Sequence, residues 1–373
     1  MAAGADSLTA ADAHWMARAL RLAGAVFPPP HPNPRVGCVL VRDGVLLGQG
    51  AHLRAGEPHA EVAAIRDAGG SARGGTAYVT LEPCAHHGRT PPCTEALLEA
   101  GVVRVVVARR DPNPHVRGGG LERLAAAGVE VADGLMAAEA SAQNRGFLRR
   151  METGRPWVTA KLAASLDGRT AMASGESQWI TSAAARRDVH RWRAAASAVV
   201  TGSGTVLADD PQLTPRDVEP PLADDRLPVR VVLDSRLRTP PAAALFAAPG
   251  PVVIFHAGGD AERGRALRDA GAEVVELPAS GGGVDLAAAL SAMGERGFNE
   301  ILVEAGPTLG GAWVQAGLVD ELLLYWAPHL MGDAARPLLR LPGIETMAER
   351  VAVRVTDVRR VGEDLRITAV PVK

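Results

Sequence analysis

The chain has 373 residues, 40 Lys+Arg against 42 Asp+Glu, 47% hydrophobic residues and 22% charged residues. That balance excludes a disordered polypeptide. A net charge of −2 argues against a general nucleic-acid binder, whose affinity rests on a large basic surface.

The length makes two domains the natural expectation. The uncharged stretch Thr239 to Gly259 carries Pro240, Pro241, Pro249 and Pro251, which argues against a spanning helix. The first residues include Asp6 and Asp12 and offer no basic region or apolar run of the secretory kind. Three cysteines, Cys38, Cys84 and Cys93, exclude a disulfide scaffold and point to a reducing cytoplasm. Lysine occurs only at Lys161 and Lys373; every other basic residue is arginine.

In chain order, Ala10 to Gly24 reads as a helix. Val36 to Val41 and Val45 to Gly50 read as a hairpin turning at Arg42-Asp43-Gly44. A helix over Ala60 to Ala68, a strand over Thr76 to Leu81, a helix over Thr94 to Ala100 and a strand over Arg104 to Ala108 follow. Gly119 to Ala127 is a helix, Val129 to Val131 a short strand, and Leu135 to Arg150 a closing helix. This predicts a mixed α/β sandwich. Thr153-Gly154-Arg155-Pro156 stops the helix and sets the domain boundary, giving domains 1–152 and 153–373. The second half restarts with strands over Trp157 to Lys161, Ala198 to Thr201, Val229 to Asp234, Val252 to His256, Ala272 to Leu277, Ile301 to Glu304 and Glu321 to Ala327. Helices over Ala183 to Ala194, Ala261 to Ala270 and Leu286 to Arg296 alternate with them, so the sheet is mostly parallel. Val351 to Val372 reads as an antiparallel pair.

Two constellations carry chemistry. His59-Ala60-Glu61 opens a helix, Pro83-Cys84 follows a strand, and Cys93 opens the next helix. One imidazole and two thiolates form a sound zinc set with the fourth position left for water, the arrangement of a catalytic site. Zinc brings its water's pKa toward about 7, and Glu61 is placed to shuttle the proton, the logic of zinc deaminases. His86 and His87 lie between the cysteines and are rival ligands; Cys38 reads as a core thiol. In the second half, Lys161 to Gly168, Gly175 to Thr181, Gly202 to Val206 and Glu304 to Ala312 hold polar or Gly-rich turns at strand ends. Such turns offer backbone N–H groups to phosphate. Gly306 and Gly310 do not make the dinucleotide fingerprint of a Rossmann domain.

The runs His31-Pro32-Asn33-Pro34, Gly56 to Val62 and Thr80 to Cys93 resemble the pyrimidine deaminases of riboflavin biosynthesis, which in bacteria are fused to a reductase. In that family eight residues between the cysteines are the normal spacing. The resemblance covers essentially the whole chain. It implies a cytidine-deaminase-like α/β/α zinc domain followed by a dihydrofolate-reductase-like α/β domain. By residue match it implies zinc on His59, Cys84 and Cys93, proton transfer by Glu61, pyrimidine binding by Asn33, and phosphate contacts near His52, Arg89 and Thr90. It further implies NADPH beside Ala163, Trp179, Thr205, Asp209, Gly306, Pro307, Thr308, Leu309, Gly310, Gly311 and Ala312. Substrate would face Ser177, Arg193, Leu213, Arg216 and Glu304. Independently of the resemblance, Lys161 and Glu304, a cation and a carboxylate at strand ends, are the candidates for steering protons during reduction, and Lys161 stands in a chain that otherwise uses arginine. A homo-oligomer joined through the reductase half is expected. A nucleic-acid base deaminase would need a basic groove and stacking aromatics, yet aromatics are 3% of the chain. A binding scaffold with a purely structural zinc is disfavoured by Glu61 beside an open position.

Overall fold

The computed structural model describes residues 8–86, 92–114, 116 and 119–372. The chain divides into two compact units, Met1–Gly154 and Arg155–Lys373.

In the first unit, α1 (Ala10–Ala25) begins at Thr9, whose hydroxyl and backbone exchange hydrogen bonds with Asp12 in a capping box. Then come β1 (Gly37–Arg42), β2 (Val45–Ala51), α2 (Ala60–Asp67), β3 (Thr76–Val79), α3 (Cys93–Glu99), β4 (Arg104–Val107), α4 (Gly119–Ala126), β5 (Glu130–Asp133), α5 (Ala137–Gln143) and α6 (Arg145–Thr153). The hairpin turns at Asp43 and Gly44, both at positive φ, as a tight turn requires. The five-stranded sheet has the order β2-β1-β3-β4-β5, with β3, β4 and β5 parallel. Its residues alternate between two layers. Cys38, Leu40, Ala77, Val79, Val105 and Val107 pack with α2, α3 and α4, whereas Val39, Val41, Tyr78 and Val106 pack with α1 and α5. Cys38 is fully buried in this core.

The single closing helix expected over Leu135 to Arg150 is two helices. Asn144 breaks it at φ −117°, ψ 21°. The Asn144 side chain accepts from the Arg35 N–H at 2.8 Å and donates to the Arg35 carbonyl at 2.9 Å. A side-chain amide mimicking backbone pairing competes with the helix, and here it wins.

The second unit contains β6 (Trp157–Ser165), β7 (Arg169–Ala171), α7 (Ala183–Ala195), β8 (Ala198–Gly202), α8 (Ser203–Asp209), β9 (Val229–Leu233), α9 (Ala244–Ala247), β10 (Val252–His256), α10 (Ala261–Asp269) and β11 (Ala272–Glu276). It continues with β12 (Ala279–Ser280), β13 (Gly283–Val284), α11 (Leu286–Glu295), β14 (Glu300–Glu304), α12 (Pro307–Gln315), β15 (Glu321–Ala327), β16 (Arg336–Pro337), β17 (Val353–Val361) and β18 (Asp364–Pro371). A nine-stranded sheet runs β11-β10-β9-β8-β14-β6-β15-β18-β17, parallel except at β18 and β17. Helices cover both faces: α11 and α12 on one, α9 and α10 on the other, with α7 under β14, β6 and β15. The short elements β7, α8, α9, β12, β13 and β16 have too few residues to show a period in sequence.

Candidate active sites

The first site is built at helix starts. Gly50 in β2 lets α2 lie directly on the sheet: a Cβ there would stand 2.6 Å from the Ala64 nitrogen. That close approach fixes the start of α2, where His59 is the N-cap and Glu61 lies in the first turn. Cys93 is the first residue of α3 and donates its backbone N–H to Cys84 Sγ at 3.4 Å. His59 Nδ1 lies 3.1 Å from Cys93 Sγ and 3.6 Å from Cys84 Sγ, and the three donor atoms fall within 4.8 Å of one another. Tetrahedral zinc bonds of about 2.0–2.3 Å place ligands roughly 3.5 Å apart, so the donor set fits zinc. His86 lines the neighbouring cavity and is outside this donor group; His87, Arg89 and Thr90 lie outside the described residues.

Beside the donors is a cavity of about 440 Å³ lined by Asn33, His52, Glu57, Glu61, Asp111 and Asn113, among others. Glu61 is 3% exposed. Burial, and then the Cys84 sulfur, push its carboxyl up to about 7. That suits a group that must both take and return a proton near neutrality. Hydrogen bonding from Cys93, and also from His59, holds the Cys84 thiol below its ordinary value, in the thiolate form a metal needs.

Asn33 and His52 are coupled rather than independent. His52 is buried and its Nδ1 donates to the Pro58 carbonyl at 3.1 Å, which leaves Nε2 to accept from Asn33 Nδ2 at 3.0 Å. His52 therefore sets the direction of the Asn33 amide. Sequence reasoning gave no role to Glu82. Its buried carboxylate accepts from the backbone N–H groups of Asp111 at 3.2 Å, Gly120 at 3.1 Å and Leu121 at 3.4 Å. It ties the strand end before Cys84 to the start of α4, a positioning role. Asp111 was also missed. Burial pushes its carboxyl up to about 6 as it faces the cavity.

The second site lies at the carboxyl ends of the parallel strands. Lys161 of β6 and Glu304 of β14 are paired in register, on the face of the sheet that α7 covers. Arg193 of α7 reaches Glu304 through two bonds, Nε to Oε1 at 2.5 Å and Nη2 to Oε2 at 3.0 Å. Burial raises the Glu304 pKa, but the Arg193 guanidinium outweighs it and, with Lys161, holds the carboxyl below its ordinary value. Desolvation pushes the Lys161 ammonium down. Arg193 Nη1 also donates to the Thr214 carbonyl at 3.2 Å, and the Arg216 N–H donates to His190 Nδ1 at 3.3 Å. These bonds bring the segment holding Leu213, Thr214 and Arg216 to α7. Leu213 is buried at φ 58°, a left-handed conformation that a bulky apolar side chain rarely adopts.

A cleft of about 930 Å³ crosses the same strand ends. Ser177, Thr205, Asp209, Gly306, Pro307, Thr308, Leu309 and Ala312 line it. Gly306 is the N-cap of the nine-residue α12, with Pro307 in its first turn and no side chain capping the following N–H groups. Gly310 and Gly311 do not line the cleft. A Cβ on Gly311 would stand 1.9 Å from the Arg340 carbonyl oxygen, so this glycine seats α12 on the backbone beneath it. Trp179 is 68% exposed and stacks under the Arg186 guanidinium, 4.4 Å from ring centroid to Cζ, outside the cleft lining. Ala163 packs in the β6 layer over α7. Ser235, Arg238, Arg336 and Arg340 line the cleft and were not anticipated; isolated arginines in an arginine-rich chain give no sequence signal.

Comparison with known proteins follows the same division. Residues 9–109 match the cytidine and deoxycytidylate deaminase zinc-binding region, and residues 156–367 match the RibD C-terminal domain. The chain is 51% identical over 363 residues to the riboflavin biosynthesis protein RibD of Escherichia coli strain K12, covering 95% of this chain and 98% of that protein. A crystal form of Acinetobacter baumannii RibD superposes with a TM-score of 0.90 at 44% identity, covering 97% and 99% of the two chains. A Thermotoga maritima structure described as a diaminohydroxyphosphoribosylaminopyrimidine deaminase/5-amino-6-(5-phosphoribosylamino)uracil reductase superposes with a TM-score of 0.84 at 32% identity, covering 97% and 99%. A zinc-type deaminase unit and a reductase unit in one chain, each with its site residues gathered at strand and helix ends, place this protein in the RibD family, the bifunctional deaminase–reductases of riboflavin biosynthesis.

Proposed function

We propose that residues 1–152 hydrolytically deaminate 2,5-diamino-6-ribosylamino-4(3H)-pyrimidinone 5′-phosphate. Residues 153–373 then reduce the ribosyl chain with NADPH to ribityl, giving 5-amino-6-ribitylamino-uracil 5′-phosphate. The observation that carries this reading is the buried Glu61 carboxyl beside the preformed His59, Cys84 and Cys93 donor set.

One zinc ion per chain, held by His59, Cys84 and Cys93, would supply the Lewis acidity that makes water a nucleophile at neutral pH. Glu61 takes the proton of that water and delivers it to the departing amino nitrogen. Asn33, aimed by His52, holds the pyrimidine edge. Arg89 and Thr90 remain the proposed phosphate contacts by residue match. Cys84→Ser or Cys93→Ser should remove most of the zinc and abolish deamination, while reduction of pre-deaminated substrate stays measurable. Metal analysis and ammonia release check this, and full deaminase activity in a zinc-free preparation would refute it.

In the reductase half, the backbone N–H groups after Gly306 suit the pyrophosphate of a dinucleotide, and the cleft of about 930 Å³ has the volume for one. NADPH bound there would supply the hydride for the ribosyl C1. As the ring C1–O bond breaks, the ring oxygen needs a proton, which we assign to Lys161. Glu304, kept ionised by Arg193, sets a negative charge near that ammonium. Ser177, Leu213, Arg193 and Arg216 bound the substrate side, while Ala163, Trp179, Thr205, Asp209 and Gly306 to Ala312 belong to the cofactor side.

We also propose a homo-oligomer joined through the reductase half. β17 is an edge strand whose Val353, Val355 and Val358 are 44%, 53% and 56% exposed, an apolar edge that a second copy would cover. A cytoplasmic setting fits the free thiols of a three-cysteine chain. Mass analysis of products from the pyrimidine substrate, with and without NADPH, tests the two activities. One mass unit gained without NADPH and two more with it are expected; a single unchanged product would overturn the reading.

A further inference from the structure

Residues 210–217 follow α8 without helix or strand and pass three times through positive φ: Asp210 at 41°, Leu213 at 58° and Asp217 at 52°. Left-handed backbone at residues other than glycine costs free energy, so such a segment keeps its shape only where neighbours hold it. Two residues of α7 do so, three apart in sequence and therefore on one face of that helix. Arg193 Nη1 donates to the Thr214 carbonyl at 3.2 Å, while its Nε and Nη2 bind Glu304. His190 Nδ1 accepts the Arg216 N–H at 3.3 Å. The Arg216 side chain is steadied in turn by Gln212, Nη1 donating to Oε1 at 2.8 Å.

The two ties differ in kind. A guanidinium stays charged and donates at every working pH, so the Arg193 tie is permanent. A ring nitrogen accepts an N–H only while it carries no proton, so the His190 tie is conditional. His190 is half-buried. Burial first, then the cations of Arg193 on its own helix and Arg216 on the facing segment, lower its pKa; Glu304 of β14 and the Thr214 carbonyl act the other way. The accepting form therefore prevails at neutral pH and is lost as the pH falls below the ordinary imidazole range. Protonation then sets an N–H against an N–H and adds a third cation beside two arginines.

We propose that His190 is a positioning residue for the reduction: by accepting the Arg216 N–H it fixes the Leu213 to Arg216 segment against α7 and holds the Arg216 guanidinium where the phosphate of the substrate meets it. This rests on the reading of that segment as part of the reductase substrate side. A planar fork suits a phosphate only when it is aimed, and the aim of Arg216 begins at its own backbone. The effect of His190 falls on substrate binding, because its partner is the backbone of a binding segment and not Lys161.

The test is NADPH oxidation by the full chain with deaminated substrate supplied, read as KM and kcat between about pH 5 and pH 8. His190→Ala removes the acceptor. It should raise the substrate KM about 3–10-fold at neutral pH, the range for one hydrogen bond, while kcat falls by less than about twofold. His190→Asn puts Oδ1 in the place of Nδ1, an acceptor at every pH, and should restore the neutral KM to within about twofold of wild type. In acid these two chains should part: from about pH 7 to about pH 5 the wild-type KM should rise at least about twofold relative to that of His190→Asn. Lys161, Glu304 and the substrate phosphate titrate in both chains and drop out of that ratio. The comparison of wild type with His190→Asn decides the matter even where His190→Ala does not fold. Equal losses in both variants, a loss confined to kcat, or a ratio flat with pH would each overturn the proposal and leave the reductase reading standing. A wild-type KM that falls in acid relative to His190→Asn would make His190 a direct phosphate cation and overturn it too. A wild-type chain that leaves NADPH unoxidised overturns the reductase reading and the proposal together.

Discussion

Glu61→Gln should lower deaminase turnover by about 10²–10⁴-fold while zinc stays bound. The substitution keeps the size and one acceptor oxygen and removes the base. Its packing should hold, because Glu61 sits on the first turn of a helix whose seat on the sheet is set by Gly50 and not by the carboxylate. The metal donors, His59, Cys84 and Cys93, are unchanged. The loss therefore falls on turnover and not on metal content, and parallel measurement of ammonia release and bound zinc separates the two. Turnover within a factor of a few of wild type would move the proton shuttle elsewhere on the cavity wall, with His86 and Asp111 the next candidates.

Lys161→Arg should impair reduction by about 10²-fold or more and leave deamination untouched. Charge is conserved, so the effect isolates shape and proton transfer. Lys161 is paired in register with Glu304, whose two oxygens are already taken by the Arg193 fork. A second planar fork would have to crowd the first on that carboxylate, where a compact ammonium does not. Arginine also cannot release a proton near neutral pH, whereas a desolvated ammonium can. The assay follows NADPH oxidation with deaminated substrate supplied, so the first unit cannot limit the rate. Wild-type rates would show that Lys161 takes no part in the proton transfer.

Most of the architecture was legible in the sequence because long apolar runs set the strands and helices. Val229 to Leu233 and Val252 to His256 are such runs, and they form adjacent parallel strands. The Asn144 break was not legible, because its cause is a bond to Arg35, more than a hundred residues away in sequence. The cluster of His59, Cys84 and Cys93 was legible from residue type and spacing. His52 illustrates the opposite case. Only the resemblance set it near the phosphate; its burial and its bonds to the Pro58 carbonyl and to Asn33 gave no signal in the sequence. Glu82 carried no pattern at all. It acquires a role only when strand order brings distant backbone N–H groups to its side chain.

The pairing of Lys161 with Glu304 has a chemical consequence beyond the reaction itself. Lys161 and Lys373 are the only lysines in the chain. Reagents that acylate or alkylate amines usually scatter over a protein's surface. Here they have two side chains to choose between besides an α-amino group, and one stands at the proposed reductase centre with its ammonium pushed down by desolvation. The arginine-rich composition thus makes that centre chemically addressable: a single amine-directed label can report on occupancy of the reductase site in the unaltered protein.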